Sequence, residues 1–567
     1  MTTKSKAWNL CIGLALLLVA LVMWGFKPPA PGEDFSDAVR AMLQDHIDLE
    51  RKSTGMVVGI IDEHGSKIIS YGKRDHGQSP DVDGDTVFEI GSTTKTFTAL
   101  LLQQLVDQGE MKLDDPVAKY LPASVKMPTH GGKQITLLHL ATHTSGLPDD
   151  PDNYAPRDWN DPYTDYSAEM LYSFLSSYTL TRDPGSQWQY SNVGMGLLGH
   201  IIALRTGKSY ETLVANWICS PLGMDSTRIS LSPDLKARSV VGHSCYGDAQ
   251  SDLIFSEVLM GGGALHSTAN DLLKYLSANL DLSHSPLTAI MSETHNVRFQ
   301  NQGLGWAVSG DTLFHNGMTL GCTSSMAFDT KQRRGVVILS NQAFDPEAQN
   351  LVSILLRSEW KPENRPRAIS VDDRTLDSYV GQYQSSDKRT VAVRREGHRL
   401  LVQLPTIPLL ELLPKSKTEF FLRVSCRPVT FQQDAQGTTQ TMSADFDGAQ
   451  STFNRISDLP PAPLLVPSPP VIMTETPESQ ADFLGTYMLP SKRVVTVSRE
   501  GDHLLVVYQG WMGFHAYPES ESRICCTYVP WEATLERNGG GEPTGITLAC
   551  PIFEKQFIGQ AAKIVPK

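Results

Sequence analysis

A serine followed three residues later by a lysine puts a hydroxyl and an amine on one face of a helix, where a neutral amine can take the hydroxyl proton during attack on a carbonyl. Ser92-Thr93-Thr94-Lys95 has that spacing. Behind it, apolar residues at Phe97, Leu100, Leu101, Leu105 and Val106 recur at helical intervals until Gln108-Gly109, where glycine supplies a stop. The pattern predicts a strongly amphipathic helix, with Ser92 at or just before its N-terminus. Backbone N–H groups and partial positive charge there favour a deprotonated oxygen and a developing oxyanion. The tetrapeptide alone is a weak signal, because Ser385-Ser386-Asp387-Lys388 has the same spacing. That second match falls in a predicted turn with no helix after it and is read as chance. Ser92 differs by its context, a β-like Phe88-Glu89-Ile90-Gly91 leading in and a helix leading out.

Two further groups complete a set. Tyr190-Ser191-Asn192 offers a phenol to relay protons and an amide to hold Lys95 or a substrate carbonyl. His315-Asn316-Gly317 offers a ring, then a glycine where backbone must approach closely, in a strand-like setting. Other signals are bland. His143 and His266 are read as structural, and His139 and His200, set among aliphatic residues, as core-facing. Gly261, Gly262 and Gly263 make no phosphate loop, since no Lys-Ser/Thr follows. The sequence contains neither Gly-x-Ser-x-Gly nor His-Glu-x-x-His. No metal or cofactor is required.

The elements that must position these residues read as one large mixed α/β domain from about Phe35 to Trp360. Its apolar runs Met56 to Ile61 and Lys67 to Tyr71, split by Asp62-Glu63-His64-Gly65, predict a hairpin at a sheet edge. The last third of the chain repeats itself. Val380-Gly381-Gln382-Tyr383 answers to Leu484-Gly485-Thr486-Tyr487, and Arg395-Glu396-Gly397 to Arg499-Glu500-Gly501, at one constant offset. Each copy alternates apolar and polar residues around Glu-Gly turns, which predicts two small antiparallel β-barrel-like domains, at 373–457 and 477–567. Proline-containing connectors at Lys361 to Arg367 and Leu459 to Pro470 separate the parts.

Lys4 and Lys6 precede an apolar run from Ala7 to Phe26, long enough to cross a bilayer. Residues 1–26 are therefore expected to be a single-pass signal anchor that leaves the catalytic domain on the periplasmic or extracellular side, with a cleaved signal peptide as the alternative. The formal charge of −13 over 567 residues, without a dense basic block outside the extreme N-terminus, argues against a nucleic-acid partner. Seven of the eight cysteines lie beyond the anchor, without zinc-site spacing. A bridge from Cys525 or Cys526 to Cys550 and buried free thiols both remain open.

In the order Ser92-Thr93-Thr94-Lys95, Tyr190-Ser191-Asn192, His315-Asn316-Gly317, the chain resembles the penicillin-recognising serine hydrolases: class C β-lactamases, D,D-carboxypeptidases, D-aminopeptidases and esterase relatives. Leu137 to Pro148 and Gly261 to Asp271 look familiar as accessory stretches. The resemblance implies a β-lactamase-like fold, an antiparallel sheet flanked by helices. It implies a small-molecule or peptide substrate, Ser92 as nucleophile, Lys95 and Tyr190 sharing proton transfer, and Asn192 orienting the acyl side chain. It further implies an oxyanion hole from the N–H groups of Ser92 and Met318, reached past Gly317. His315 stands where β-lactamases place a lysine that binds the substrate carboxylate. As an imidazolium it is expected to bind that carboxylate, with KM rising above its pKa; the other reading is a ring that only packs and hydrogen-bonds. The expected reaction is hydrolysis of a β-lactam or D-amino-acid amide, with an esterase or a slowly turning penicillin-binding sensor as alternatives.

Overall fold

A computed structural model of the chain describes residues 35–357 apart from 152, 154–160, 162 and 246, together with residues 366–458 and 481–564, which are interrupted at 405–406, 447–449, 489–493, 501–502, 509–512, 521, 527–531 and 550–558. The expected anchor at 1–26, the linker from Leu459 and Cys550 of the suggested disulfide lie outside the described residues. Among the described residues, no helix is long and apolar enough to cross a membrane.

The catalytic unit is built on a six-stranded antiparallel sheet. Its strands are β1 (Gly55–Asp62), β2 (Gly65–Gly72), β5 (Ala307–Ser309), β6 (Thr312–Met318), β7 (Thr323–Asp329) and β8 (Arg334–Ser340), in the order β2-β1-β8-β7-β6-β5. A separate two-stranded ladder joins β3 (Phe88–Glu89) to β4 (His266–Ser267). β1 and β2 form the expected edge hairpin, with Asp62 opposite Gly65.

β1 is apolar on both faces because helices cover both. Met56, Val58 and Ile60 join the core of helices α1 (Phe35–Gln44) and α5 (Pro346–Leu356). Val57 and Ile61 join the opposite core, which includes α4 (Ala269–Asn279). A strand buried on two sides loses the polar alternation of a half-exposed one.

Helix α2 (Thr94–Asp107) departs from its sequence pattern. The apolar spacing predicts one polar, solvated face, yet Thr94, Lys95, Thr96, Thr98, Gln103 and Gln104 are buried along with the leucines. A central helix needs partners for polar side chains turned inward. Thr98 Oγ1 donates to the Gly261 carbonyl at 2.8 Å, and Gln104 Nε2 to the Trp217 carbonyl at 3.2 Å. The helix runs out at Gly109, whose φ of +73° ends it as expected.

The repeats form two closed eight-stranded antiparallel barrels, one from Gly381–Ser385 to Gln450–Ser457 and one from Gly485–Met488 to Gly559–Ile564. Corresponding residues do corresponding work: Tyr383 donates to the Tyr379 carbonyl at 2.7 Å, and Tyr487 to the Phe483 carbonyl at 2.6 Å. The first barrel is tied to the catalytic unit where the buried Leu409 N–H donates to Glu50 at 2.8 Å. Ser385 lies in that barrel with its hydroxyl hydrogen-bonded to Asp387 and the Arg389 carbonyl, at a turn where Lys388 has φ of +71°.

Candidate active site

Ser92 sits in a one-turn 3₁₀ segment (Gly91–Thr93) that runs into α2. The first N–H groups of such a segment have no acceptor within the helix. Gly91 holds φ of +46°, and a methyl group added to it would lie 2.7 Å from the Met318 nitrogen and 2.6 Å from its carbonyl oxygen. On the facing strand, a methyl on Gly317 would lie 1.9 Å from the Ile90 carbonyl oxygen. Two glycines thus let the end of β6 pass against the nucleophile turn, which brings the Met318 backbone beside Ser92. Beyond Met318, Thr319 Oγ1 donates to Glu89 at 2.6 Å and accepts from the Cys322 N–H at 3.0 Å, fixing the turn into β7.

Tyr190 and Asn192 flank the N-cap of helix α3 (Asn192–Thr206), where Ser191 accepts the Gly194 N–H at 2.9 Å. Asp149 accepts the Asn192 N–H at 3.2 Å. The turn Met260–Gly262 packs on α3 so closely that a methyl on Gly261 would lie 2.7 Å from the Met195 carbonyl oxygen. That contact presents the Gly262 carbonyl to Lys95.

Lys95 Nζ lies 2.8 Å from Ser92 Oγ, 2.7 Å from Asn192 Oδ1 and 2.6 Å from the Gly262 carbonyl oxygen. Burial lowers its pKa to about 7, and Asp149 and Asp150 offset only part of that. The geometry says what the neutral amine does. Two of its three neighbours only accept hydrogen bonds, so they consume both N–H bonds of an NH₂ group. Its lone pair is left for the Ser92 hydroxyl to donate to. That arrangement suits Lys95 to accept a proton from Ser92.

Tyr190 has the opposite tendency. Burial drives its phenol far above the ordinary range, the hydrogen bond with Ser92 offsetting only part. Its ring centroid is 4.8 Å from Lys95 Nζ. A phenol that keeps its proton while the neighbouring amine loses one is a donor. Of the two residues to which the resemblance gives a share in proton transfer, Lys95 is thus placed to accept and Tyr190 to donate.

For His315, the surroundings bear on the choice between an imidazolium and a ring that only packs and hydrogen-bonds. Burial lowers its pKa to about 3, helped by the charge on Lys95 and opposed by its hydrogen bond to the Asn316 backbone. Nδ1 lies 2.7 Å from the Asn316 carbonyl oxygen and so carries the ring's proton, leaving Nε2 as an acceptor. The cleft, of about 260 Å³, is lined by His315 with Tyr190, Trp188 and Phe314, and no lysine or arginine is among its described lining residues.

The structure also adds residues that the sequence reading placed elsewhere. His143, read as structural, has its ring 4.6 Å from that of Tyr190 and accepts the Ser191 N–H at 3.2 Å through Nδ1. Its buried Nε2 makes no hydrogen bond, and the residue lines the cleft. Trp188 is held at the rim by donation to Gln302 at 3.3 Å. The accessory likeness of Leu137 to Pro148 and of the glycine run was the available signal for His143 and Gly262. Nothing in spacing pointed to Trp188 or to Asp149 and Asp150.

A family model described as Beta-lactamase matches residues 35–357, and one described as a domain of unknown function, DUF3471, matches residues 365–455. The chain is 34% identical over 273 residues to the Escherichia coli (strain K12) protein named D-alanyl-D-alanine-carboxypeptidase/endopeptidase AmpH, covering 48% of this chain and 69% of that one. It is 27% identical over 403 residues to penicillin-binding protein 4* of Bacillus subtilis (strain 168), covering 64% of this chain and 86% of its relative. A solved class C β-lactamase superposes with a TM-score of 0.50 at 22% identity, over 56% of this chain and 93% of that structure, a likeness of fold alone.

Proposed function

Since the chain belongs to the β-lactamase family, we propose that this serine hydrolase is exported and cleaves an amide, in a β-lactam or in a peptide bearing a D-amino acid, through an acyl-enzyme on Ser92. The observation that carries the reading is the buried Lys95 amine, 2.8 Å from Ser92 Oγ and held there by Asn192 Oδ1 and the Gly262 carbonyl oxygen. In acylation, Ser92 Oγ bonds to the carbonyl carbon as its proton passes to Lys95. The N–H groups of Ser92 and Met318 receive the oxyanion. Tyr190 donates its proton to the leaving nitrogen and regains one from Lys95. In deacylation, water oxygen bonds to the acyl carbon, the Ser92 Oγ–acyl bond breaks to release the acid, and the water's proton returns to Ser92 Oγ by way of Lys95 or Tyr190. The name of the Escherichia coli relative supports a peptide substrate.

A second reading, an esterase on the same machinery, is favoured by the neutral His315 and a cleft whose described lining lacks a cation. Nitrocefin, a D-Ala-D-Ala peptide, a D-amino-acid anilide and a nitrophenyl ester, compared by kcat/KM, separate the two. With His315 neutral above about pH 4, KM of carboxylate-bearing substrates is expected to follow pH no more steeply than KM of the uncharged ester between about pH 5 and 9, and His315→Gln to cost both about equally. A KM that climbs only for the carboxylate-bearing substrates as pH passes about 6.5 would restore the imidazolium. An ester preferred over all three amides would move the assignment to the second reading.

Export rests on Lys4 and Lys6 ahead of the apolar run, which keep the N-terminus inside and put the catalytic domain on the outer face of the cell membrane. Protease added to intact spheroplasts is expected to digest that domain; protection until lysis would overturn the topology.

A further inference from the structure

Just ahead of the nucleophile turn in the chain, Glu89 of β3 is the direct cross-strand partner of His266 of β4. Partners of this kind share a face of the ladder, with Cβ atoms about 5 Å apart. Asp252 is brought to them because the N–H of its neighbour, Leu253, donates to Glu89 at 2.6 Å. One ligand atom from each of Glu89, Asp252 and His266 lies within 4.8 Å of the others. His266 is only 8% exposed, and neither of its ring nitrogens has a partner at full hydrogen-bond geometry, although the Arg228 backbone lies near enough to raise its pKa against the lowering by burial. A buried imidazole with both nitrogens unsatisfied is a costly arrangement that a ligand relieves. Glu89 is already fixed by Leu253 and Thr319, and a carboxylate has lone pairs beyond those two bonds. Asp252 is exposed, which opens a route from solvent.

We propose that Glu89, Asp252 and His266 form a zinc site in which one imidazole nitrogen and two carboxylate oxygens bind Zn²⁺, with water at the fourth position. An imidazole beside carboxylates suits zinc better than calcium or magnesium, which favour all-oxygen shells. The ion touches none of the reacting atoms. It clamps the strand leading into Ser92 to the β4 strand, and through Glu89 and Thr319 to the turn that follows Met318. Its role is to hold the two sides of the expected oxyanion hole in register.

The test uses the full chain, stripped with EDTA, dialysed and titrated with Zn²⁺ alone, with bound zinc counted per chain and Tm followed. One zinc per chain and a Tm raised by zinc are expected, as is affinity weakened about tenfold or more in Asp252→Asn and in His266→Gln. Asp252→Asn alters an exposed side chain, so it keeps the test decisive should His266→Gln fail to fold. Co²⁺ should give the wild-type chain the intense visible absorption of a four-coordinate site, and Asp252→Asn should lack it. Absence of stoichiometric zinc, or zinc affinity and a cobalt spectrum unchanged in Asp252→Asn, overturns the site.

Discussion

Ser92→Ala is expected to lower turnover of any accepted substrate by about 10⁴-fold or more and to end covalent labelling by a fluorescent penicillin or a fluorophosphonate. The loss is that large because the residue forms the bond that defines the acyl-enzyme, and the rest of the site cannot replace it. The fold is expected to survive, since the change removes one oxygen from a half-buried side chain whose turn is fixed by Gly91 and by packing under α2. Ser385→Ala is the matched control. Its hydroxyl is engaged with Asp387 and the Arg389 carbonyl, so the cost is about 1 kcal/mol of barrel stability with activity and labelling intact. Labelling that persists in Ser92→Ala and vanishes in Ser385→Ala would reverse the assignment.

Lys95→Met carries the next largest effect, a fall in kcat/KM of about 10³-fold, within the range set by losing a general base. Methionine fills similar space but leaves Asn192 Oδ1 and the Gly262 carbonyl without their donor, so some loss of stability accompanies the loss of rate. The pH profile distinguishes chemistry from disruption. Below about pH 7, Lys95 is mostly protonated and has no lone pair to offer; above it the amine is free, so wild-type kcat/KM is expected to rise through about pH 7 and then level. That limb should be missing from the residual activity of Lys95→Met and kept in Tyr190→Phe, whose phenol stays protonated over the same range in the wild type. A limb unchanged in Lys95→Met would transfer the role of base to another group.

Much of the fold was legible where short-range spacing carries the information. The β1–β2 hairpin follows from two β-rich runs around Asp62-Glu63-His64-Gly65, and the paired barrels from the repeat that sets Tyr383 against Tyr487. Helix α2 was legible in extent and not in surroundings. Its apolar residues mark a helix, but Thr98 and Gln104 find their partners on Gly261 and Trp217, and no periodicity announces carbonyls more than a hundred residues away.

The site divides in the same way. By itself, the sequence determined that Ser92 and Lys95 share a helical face and that Gly317 marks a close backbone approach, because each follows from local geometry; that Tyr190 and Asn192 flank a helix start came from the structure. Only the tertiary structure decided the protonation states that make these residues work. Burial penalises the charged form of each, lowering the pKa of Lys95 and of His315 and raising that of Tyr190, while the carbonyls of Gly262 and Asn316 and the carboxyl groups of Asp149 and Asp150 take fixed positions around them. Desolvation depends on everything packed around a group, and that surrounding comes from segments far apart in the chain.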